Sequence, residues 1–469
     1  MISINAYNEE LGHAPQGIPS GPQKTAWLLG QSGLDLAKIQ TLAPPEEADL
    51  NKWEDPRVGW GVVVVAKKGF TASDYASGKD LENDEVLRKL LDHRRAVQGS
   101  VPVFHYNPDV AGGPQTILLR NYAAGKDLDL VSKVGLGPDK LPYYLLIYAA
   151  PSAVPWTFQA TLQVRHAVGR LDPAMPGLVN YVDHLVQGWK PDLARAGRTV
   201  VWTVDHGDIT SLMREALAVK LHQLYAGDSD LAAGAAMLDA KMDPLQATSE
   251  ALIAELTARP PGLVVTCSHG KTGPLGDKAL LAASLGIPVD QFFQTMDLDK
   301  LLRNWQPAGA VWFAQACCSV GSDSPSRYQD LYPIDTEIGS VLSAVAATGA
   351  HIAPLPQRLL GCENPARGFF GHIEPTFNIT LQSPLTKQVV AHSAVDAFYN
   401  RYFGHYTLGR VLNEYHRTAS TKYAQWCTLI NRFNRGDDVD DELLYTRTTA
   451  IDIDALVLIG DPTAAMTSG

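Results

Sequence analysis

Short, continuously apolar segments alternate with longer segments of helical spacing along most of this chain. A run of four to eight apolar residues bounded by turn residues is typical of a buried strand, whereas apolar residues at every third or fourth position are typical of a helix. The pattern predicts strands at Trp60–Ala66, Tyr143–Ala149, Leu162–Val168, Thr199–Val204, Leu263–Thr266, Ala310–Ala314, Gly368–Gly371 and Ala455–Ile459. It predicts helices at Asn83–Val97, Asn180–Trp189, Ser211–Tyr225, Lys278–Leu285, Thr336–Ala347, Val389–Phe403 and Ser420–Phe433.

The alternation of buried strands with helices predicts the fold class. Continuously apolar strands separated by helices indicate an α/β protein whose mainly parallel sheet is covered by helices on both faces. Residues 1–135 are rich in Pro, Gly and charge, and we treat them as an N-terminal region of unassigned role. The Ala-rich, polar segment 227–250 predicts a helical connector, so we expect one α/β domain over 136–245 and a second over 246–469.

Composition narrows the possible ligands and compartments. The 469 residues carry a formal net charge of −11, and Lys and Arg form no long cluster, so nucleic acid is not expected as the main ligand. No run approaches the roughly 18 apolar residues of a membrane span, and the amino terminus does not have the pattern of a signal peptide. We therefore expect a cytoplasmic protein. Its cysteines are odd in number, which favours free thiols over a disulfide framework.

Two of the predicted strands end in reactive side chains. The segment Leu263–Gly270 ends in His269 and Gly270, and the segment Ala310–Cys318 ends in a pair of cysteines that begins with Cys317. Ligands of parallel sheets bind at the carboxyl ends of strands, where neighbouring strands can bring an imidazole and a thiol together. We therefore expect the side chains of His269 and Cys317 to lie about 4–7 Å apart. The N–H groups of Gly270 and Cys317 could then form an oxyanion hole.

The same residues permit other interpretations. A buried Cys at a strand end can be a small core residue, and His-Gly can be a simple turn. His206, in the segment Val204–Asp208, has the same local form as His269 and is interpreted as structural or as part of the substrate cleft, with the role of base as the alternative. The run Gly270–Thr272 does not complete a phosphate loop, because Val265 stands where that loop needs a glycine.

Zinc is a further possibility for the two strand ends. Cys267, His269, Cys317 and Cys318 are of the right chemical type. Their close Cys-x-His and Cys-Cys pairs do not match the ligand spacing of structural zinc sites. We therefore expect neither a metal ion nor an organic cofactor.

These motifs resemble those of the caspase-fold cysteine peptidases, in which one hydrophobic strand ends in His-Gly and a second ends in Ala-Cys. Ser268–Gly270 and Gln315–Cys317 match both motifs, at an interval of roughly 50 residues. Within that group the chain is most similar to the gingipain-type and CHAT-type bacterial branches, over about residues 140–465. Supporting segments are Tyr144–Tyr148, Ala167–Asp172, Gly368–Thr376 and Leu458–Thr463.

The resemblance implies a three-layer α/β/α sandwich with two caspase-like subdomains, a non-catalytic one over 136–245 and one over 246–469 that holds the His-Cys dyad. It implies an intracellular cysteine endopeptidase in which His269 is base and general acid and Cys317 is the nucleophile, regulated by a partner protein or by processing. The chain departs from the caspase pattern at Cys318 and Ser319, so cleavage after Asp is not implied and Cys318 is the alternative nucleophile. A catalytically silent caspase-like interaction module is the alternative function.

Charged residues near the predicted cleft bear on the residue before the cleaved bond. A set of carboxylates favours Arg or Lys there, because a desolvated cation–carboxylate pair is strong and selective: Asp205, Asp208, Asp277, Asp323 and Glu374. Gln315 favours an acidic side chain instead, since caspases bind Asp with a glutamine at this position, and Arg358 and Arg367 would complete such a pocket. The expected partners are a protein or peptide substrate and a regulatory protein, and neither nucleic acid nor a membrane.

Overall fold

The computed structural model of the protein describes the backbone of two short strands near the amino terminus and residues 47–107, 118–190 and 195–466. The chain forms two compact units, Met1–Ala48 and Asp49–Gly469. In the first unit, Ile2–Ser3 pairs antiparallel with Gln16–Gly17. The second unit contains all the elements described below.

One sheet of twelve strands dominates the second unit. In chain order its strands are β1 (Trp60–Val65), β2 (Val103–Tyr106), β3 (Leu119–Asn121), β4 (Lys126–Leu128), β5 (Tyr144–Tyr148), β6 (Ala167–Leu171), β7 (Arg195–Thr203), β8 (Ala235–Asp239), β9 (Pro261–Cys267), β10 (Val311–Gln315), β11 (Gly368–His372) and β12 (Leu456–Ile459). Their spatial order is β8-β7-β9-β10-β11-β12-β6-β5-β1-β2-β3-β4. Two-stranded ladders outside this sheet join Lys133–Val134 to Lys140–Leu141 and Gly321–Ser322 to His351–Ile352.

The sheet is mixed but mainly parallel, and its direction changes at β12. Strands β7 to β11 run parallel to one another, and β12 runs antiparallel to β11. On its other side β12 is parallel to β6, and β6, β5, β1 and β2 are parallel in turn. The carboxyl ends of β7–β11 therefore emerge at the opposite edge of the sheet from those of β1, β2, β5 and β6.

Helices connect the strands and flank the sheet. The α-helices are α1 (Ala72–Ser77), α2 (Glu85–Gln98), α3 (Trp156–Gln163), α4 (Leu178–Val186), α5 (Ile209–Met213), α6 (Val219–Gly227), α7 (Ser249–Ala258), α8 (Lys278–Ser284), α9 (Leu298–Asn304), α10 (Glu337–Ala347), α11 (Pro354–Gly361), α12 (His392–Asp396), α13 (Leu408–Val411), α14 (Asn413–Phe433) and α15 (Asp440–Ala455). Single π-helical turns lie at Arg214–Ala218 and Ala397–Arg401, and 3₁₀ turns at Lys79–Leu81, Ala232–Gly234, Pro244–Ala247 and Asn378–Thr380. Within the described residues, no helix is both long enough and apolar enough to cross a membrane.

Burial explains the composition of the central strands. All the residues of β9 and of β10 are buried, and most of them are apolar. Parallel strands that pack against helices need such continuous apolar runs rather than alternating ones. The predicted α/β class with a mainly parallel sheet is confirmed, although the strands form one continuous sheet.

Two local predictions are wrong. The segment 227–250 is not a helical connector, because Ala235–Asp239 forms the edge strand β8, which pairs with β7 through backbone hydrogen bonds. Such bonds do not depend on the Ala-rich side chains that favour a helix. The block Leu162–Val168 is divided between α3, which begins after Pro155, and β6. In β6 the backbone at Gly169 packs against the carbonyl of Gly460, a contact that no local pattern reveals.

The predicted domain boundaries fall within this one sheet. Strands β1–β4 come from the predicted N-terminal region 1–135, β5–β8 from 136–245, and β9–β12 from 246–469. The N-terminal region therefore contributes strands to the same sheet as the two predicted α/β segments. The division into two caspase-like subdomains stays a prediction.

Candidate active site

His269 and Cys317 leave the sheet from neighbouring strands. Strands β9 and β10 are parallel and adjacent, with Cys267 opposite Gln315, and both side chains lie just beyond these strand ends. The N–H of Ser268 donates to the carbonyl of Gln315 at 3.3 Å, so the two segments stay paired past the end of the sheet. The topology therefore brings the His and Cys motifs to one edge.

Gly270 is in close backbone contact with Cys317. A Cβ atom at Gly270 would lie 1.9 Å from the carbonyl oxygen of Cys317, which is closer than any real Cβ contact. The preceding residue is fixed as well, since the N–H of Val289 donates to the carbonyl of His269 at 3.0 Å. Glycine is therefore required for the two motifs to pack together. The expected separation of about 4–7 Å between the imidazole and the thiol stays a prediction.

The two adjacent cysteines have different environments. Cys317 is half-buried, and its thiol donates to the carbonyl of Thr376, with Sγ 3.7 Å from that oxygen. Burial raises the pKa of Cys317 to about 11, and the nearby carboxyl group of Asp452 adds to the increase. Cys318 is fully buried, and burial raises the pKa of its thiol well above the usual range. Of the two thiols, that of Cys317 is the more accessible.

A carboxylate holds the ring of His269. Nε2 of His269 lies 2.8 Å from Oδ2 of Asp208. The other carboxylate oxygen, Oδ1, accepts hydrogen bonds from the N–H and the hydroxyl of Thr210, at 2.9 and 2.8 Å, at the start of α5. Burial would raise the pKa of Asp208, but the hydrogen bonds from Thr210 and His269 outweigh it and lower that pKa. Asp208 is therefore ionised and orients the imidazole, which leaves Nδ1 to exchange a proton.

His206 stacks on His269 from the loop that follows β7. The ring centroids are 5.4 Å apart and the planes are inclined by 5°, and Phe293 stacks on His206 at 4.1 Å. The ligand atoms of His206, Asp208 and His269 all lie within 4.8 Å of one another, a grouping that could hold a metal ion. The two segments share the His-Gly form, but no local pattern indicates that the two rings stack. The structural or substrate-cleft role expected for His206, and the alternative role of base, stay predictions.

The remaining carboxylates on the His269 side have partners within the protein. Asp205 accepts hydrogen bonds from the hydroxyl of Ser211 and the N–H of Gly207. Asp277 caps the start of α8. These contacts fix both carboxylates before any substrate binds, so a cationic substrate would have to share them.

The predicted substrate-binding residues on the Cys317 side are buried. Asp323 and Glu374 are 6% and 1% exposed. Burial raises the pKa of both, that of Glu374 to about 7, although the guanidinium of Arg327 acts in the opposite direction. Gln315 is also buried, and its Oε1 lies 3.3 Å from Nε2 of His372. These side chains are therefore closed to solvent in this conformation.

The two arginines of the alternative acidic pocket contact other groups. A guanidinium nitrogen of Arg358 lies 2.5 Å from a carboxylate oxygen of Asp299 at the surface. Arg367 is buried, with its guanidinium 5.2 Å from the ring centroid of Trp189. Both guanidinium groups therefore already have neighbours that stabilise their charge.

Asp452, near the end of α15, is a further candidate site residue because its carboxyl group is near Cys317. Its position was not predicted from the sequence. Its carboxyl group is fully buried, and Oδ2 accepts from the N–H of Phe377 at 3.2 Å and the hydroxyl of Thr380 at 2.9 Å. Burial raises the pKa of Asp452 to about 7. The available signal is the pair Asp452 and Asp454 within the otherwise apolar stretch that leads into β12.

The site combines an imidazole, a carboxylate that orients it and an accessible thiol at one edge of a parallel sheet. Groups of this kind can remove the proton of a nucleophile and deliver it to a leaving group. Comparison with models of known protein families and with curated proteins finds no match to this chain.

Proposed function

We propose that this chain is a cysteine endopeptidase in which His269 and Cys317 form the catalytic dyad. The observation that carries the proposal is the meeting of the two motifs: adjacent parallel strands end in them, and Gly270 packs on the carbonyl of Cys317. The contact between His269 and Asp208 supplies the third group that orients the base in catalytic triads.

The protonation state of the thiol determines the first step. Because the pKa of Cys317 is raised to about 11 by burial, the resting thiol is protonated at neutral pH. Nδ1 of His269 takes that proton as the sulfur attacks the peptide carbonyl, and Asp208 stabilises the imidazolium through Nε2. The imidazolium then donates its proton to the leaving amine, and an acyl thioester on Cys317 remains.

Water completes the cycle by hydrolysing the thioester. His269 accepts a proton from the attacking water and returns it to the departing thiolate of Cys317, so the enzyme ends in its starting state. The N–H groups of Gly270 and Cys317 are the proposed donors to the oxyanion in both steps.

For the residue before the cleaved bond we propose Arg or Lys. Asp208, beside His269, has a side chain that is 45% exposed and can meet a cation from solvent. Asp323 and Glu374 are buried and do not contribute to the binding of that cation. A hydrogen-bonded pair of a carboxylate and a guanidinium or ammonium group is strong and geometrically selective, and bound substrate would shield it from water. A fluorogenic peptide panel that varies only this residue tests the proposal, and a preference for Asp or an uncharged residue would reject it.

Covalent labelling tests the peptidase proposal directly. An electrophilic peptide probe should modify Cys317, and the modified residue is identified by mass spectrometry of the digested protein. Cys317→Ala should remove the label, whereas Cys427→Ala, which removes an exposed thiol, is the matched control and should keep it. No labelling of Cys317 and no peptide hydrolysis by the folded protein would favour a catalytically silent interaction module instead.

A further inference from the structure

His206, Asp208 and His269 form a cluster of metal-ligating side chains at the edge of the sheet. They come from two places in the chain, His206 and Asp208 from the segment between β7 and α5, and His269 from the segment after β9. Their ligand atoms all lie within 4.8 Å of one another. Two imidazoles, one carboxylate and a water are a donor set that four-coordinate zinc accepts.

His206 already has the orientation of a metal ligand. Its Nε2 lies 3.1 Å from the carbonyl oxygen of Asp290, which places the ring proton on that nitrogen. Phe293 stacks on the ring at 4.1 Å and restricts its rotation. Nδ1 therefore presents a lone pair, and this atom is buried with no hydrogen-bond partner in the described part of the chain. Metal-bound histidines commonly donate their second N–H to a carbonyl oxygen in this manner.

Hydrogen bonds to one oxygen fix the orientation of the Asp208 carboxylate. Its Oδ1 accepts two hydrogen bonds from Thr210, so Oδ2 is directed at Nε2 of His269, 2.8 Å away. Zinc bonds of about 2.0–2.2 Å require ligand atoms roughly 3.3 Å apart in a tetrahedral site. Zinc binding therefore requires this pair to open by about 0.5 Å and the His269 ring to turn out of its stack on His206. The side chains of His269 and Asp208 are 33% and 45% exposed, so an ion can reach them from solvent.

We propose that Nδ1 of His206, Oδ2 of Asp208 and Nε2 of His269 bind one zinc ion, with water as the fourth ligand. Imidazole nitrogens favour zinc over magnesium and calcium, which prefer oxygen ligands throughout. The ion takes the place of the proton between His269 and Asp208, and that proton is released to solvent.

The consequence for catalysis rests on the proposed function. A zinc ion on Nε2 of His269 and Oδ2 of Asp208 replaces the contact by which the carboxylate orients the imidazole, and it holds the ring in the geometry of a metal ligand. His269 can then no longer take the thiol proton of Cys317. Zinc therefore inhibits hydrolysis reversibly, and a chelator restores it.

Zinc binding by the whole chain tests the site independently of any hydrolysis. It is measured by competition with a chromophoric chelator in the presence of a phosphine reductant, and we expect one zinc ion per chain. Changes to residues that only support a metal ligand commonly weaken metal binding by roughly 10- to 100-fold. His206→Ala removes a ligand itself and should weaken zinc binding by at least that much. His392→Ala, which removes an exposed histidine outside the cluster, is the matched control and should bind like the wild type.

A second variant covers the case in which His206→Ala does not fold, as judged by circular dichroism. Asp208→Asn should then show the loss of zinc affinity. Absence of zinc binding to the wild type, or wild-type affinity in a folded His206→Ala protein, would overturn the proposal.

Cobalt identifies the ligand atoms. Co²⁺ in the proposed site should give ligand-field bands without a thiolate-to-cobalt charge-transfer band, and Cys317→Ala should leave that spectrum unchanged. A charge-transfer band that disappears in Cys317→Ala would place the ion on the thiol and overturn the assignment of ligands.

Inhibition of peptide hydrolysis by zinc distinguishes failure of the zinc site from failure of the proposed peptidase function. The zinc concentration for half-inhibition of peptide hydrolysis should rise at least about tenfold from the His392→Ala control to His206→Ala. Hydrolysis that continues at saturating zinc would overturn the inhibitory role. A zinc-free protein that binds the ion as described but hydrolyses no peptide would retain the metal site and refute the peptidase.

Discussion

The two halves of the sheet share one strand order but differ at their carboxyl ends. The first four strands of the parallel set in each half have the same order, β2-β1-β5-β6 in the first half and β8-β7-β9-β10 in the second. In the second half the third and fourth strands are followed, at the second residue past each strand, by His269 and Cys317, whereas the same positions in the first half hold Ala150 and Pro173. Among the residues that the structure describes, the same topology therefore places these candidate catalytic groups at one of its two edges.

The first half uses its buried charges to hold the structure together. Arg170 of β6 is fully buried and donates to the carbonyl of Ala149 at 3.0 Å and to Gln159 at 2.8 Å. Beyond β12, which ends at the same edge, buried Asp461 pairs with buried Arg94 at 2.9 Å. The second half instead has a partly exposed imidazole and carboxylate, in His269 and Asp208, and the half-buried thiol of Cys317. The two edges therefore differ in the exposure of their polar groups and not in strand order. We call the edge with His269 and Cys317 the reactive edge, and the edge with Arg170 and Asp461 the structural edge.

The largest expected effect is at the reactive edge. Cys317→Ala should lower kcat for peptide hydrolysis by roughly 10⁴- to 10⁶-fold, because the nucleophile is lost. Cys318→Ala should retain much of the activity per folded molecule, since this thiol is buried. Steady-state kinetics on both variants, with folding checked by circular dichroism, compares them. Greater loss in Cys318→Ala would show that the nucleophile is misassigned.

A substitution at the other edge, where the buried pair of Asp461 and Arg94 lies, should change the free energy of unfolding but not the rate of peptide hydrolysis. Asp461→Ala should lower the free energy of unfolding by about 3–5 kcal/mol, because it leaves the guanidinium of Arg94 buried without its counter-charge. Urea denaturation measures the loss, and Asp183→Ala, which breaks an exposed ion pair with Lys89, is the control with a change within about 1 kcal/mol. A folded Asp461→Ala protein with reduced turnover would show that the two edges are not independent.

Substitutions of Asp208 distinguish two catalytic roles of its carboxylate, orientation of His269 and binding of a cationic substrate. If it orients His269, Asp208→Asn should lower kcat by about 10²-fold with little change in KM. Asp208→Glu, which keeps the charge, should recover part of the rate. If the carboxylate binds a cationic substrate instead, the loss should appear mainly as a higher KM for peptides with Arg before the cleaved bond.

Buried acids in the second half should make stability depend on pH. The pKa of Asp452 is about 7 in the folded protein, so the folded state retains a proton that the unfolded chain has already lost. Stability should therefore fall as the pH rises from about 4 to 7. Asp452→Asn should reduce the difference in unfolding free energy between about pH 5 and pH 8 by roughly 2–3 kcal/mol. Asp441→Asn, at an exposed position of the same helix, should keep the wild-type difference.

Sequence pattern locates the central strands because full burial demands continuous apolar runs. The predicted bounds of β5, β9 and β10 agree with the structure to within about two residues. The edge strand β8 escapes prediction because its Ala-rich residues are held by pairing with β7 rather than by their own propensity. Position at strand ends also indicated which two segments come together, since β9 and β10 are adjacent and Gly270 contacts the carbonyl of Cys317. The distance between the side chains of His269 and Cys317 stays a prediction.

By itself the sequence determined that this is an α/β protein and that an imidazole and a thiol follow two of its buried strands. Only the tertiary structure decided that Asp208 holds His269, that His206 stacks beside it, and that Glu374 lies buried instead of rimming a cleft. The reason is physical: strand identity follows from local burial patterns. The environment of a polar side chain, by contrast, depends on which distant loops pack over it.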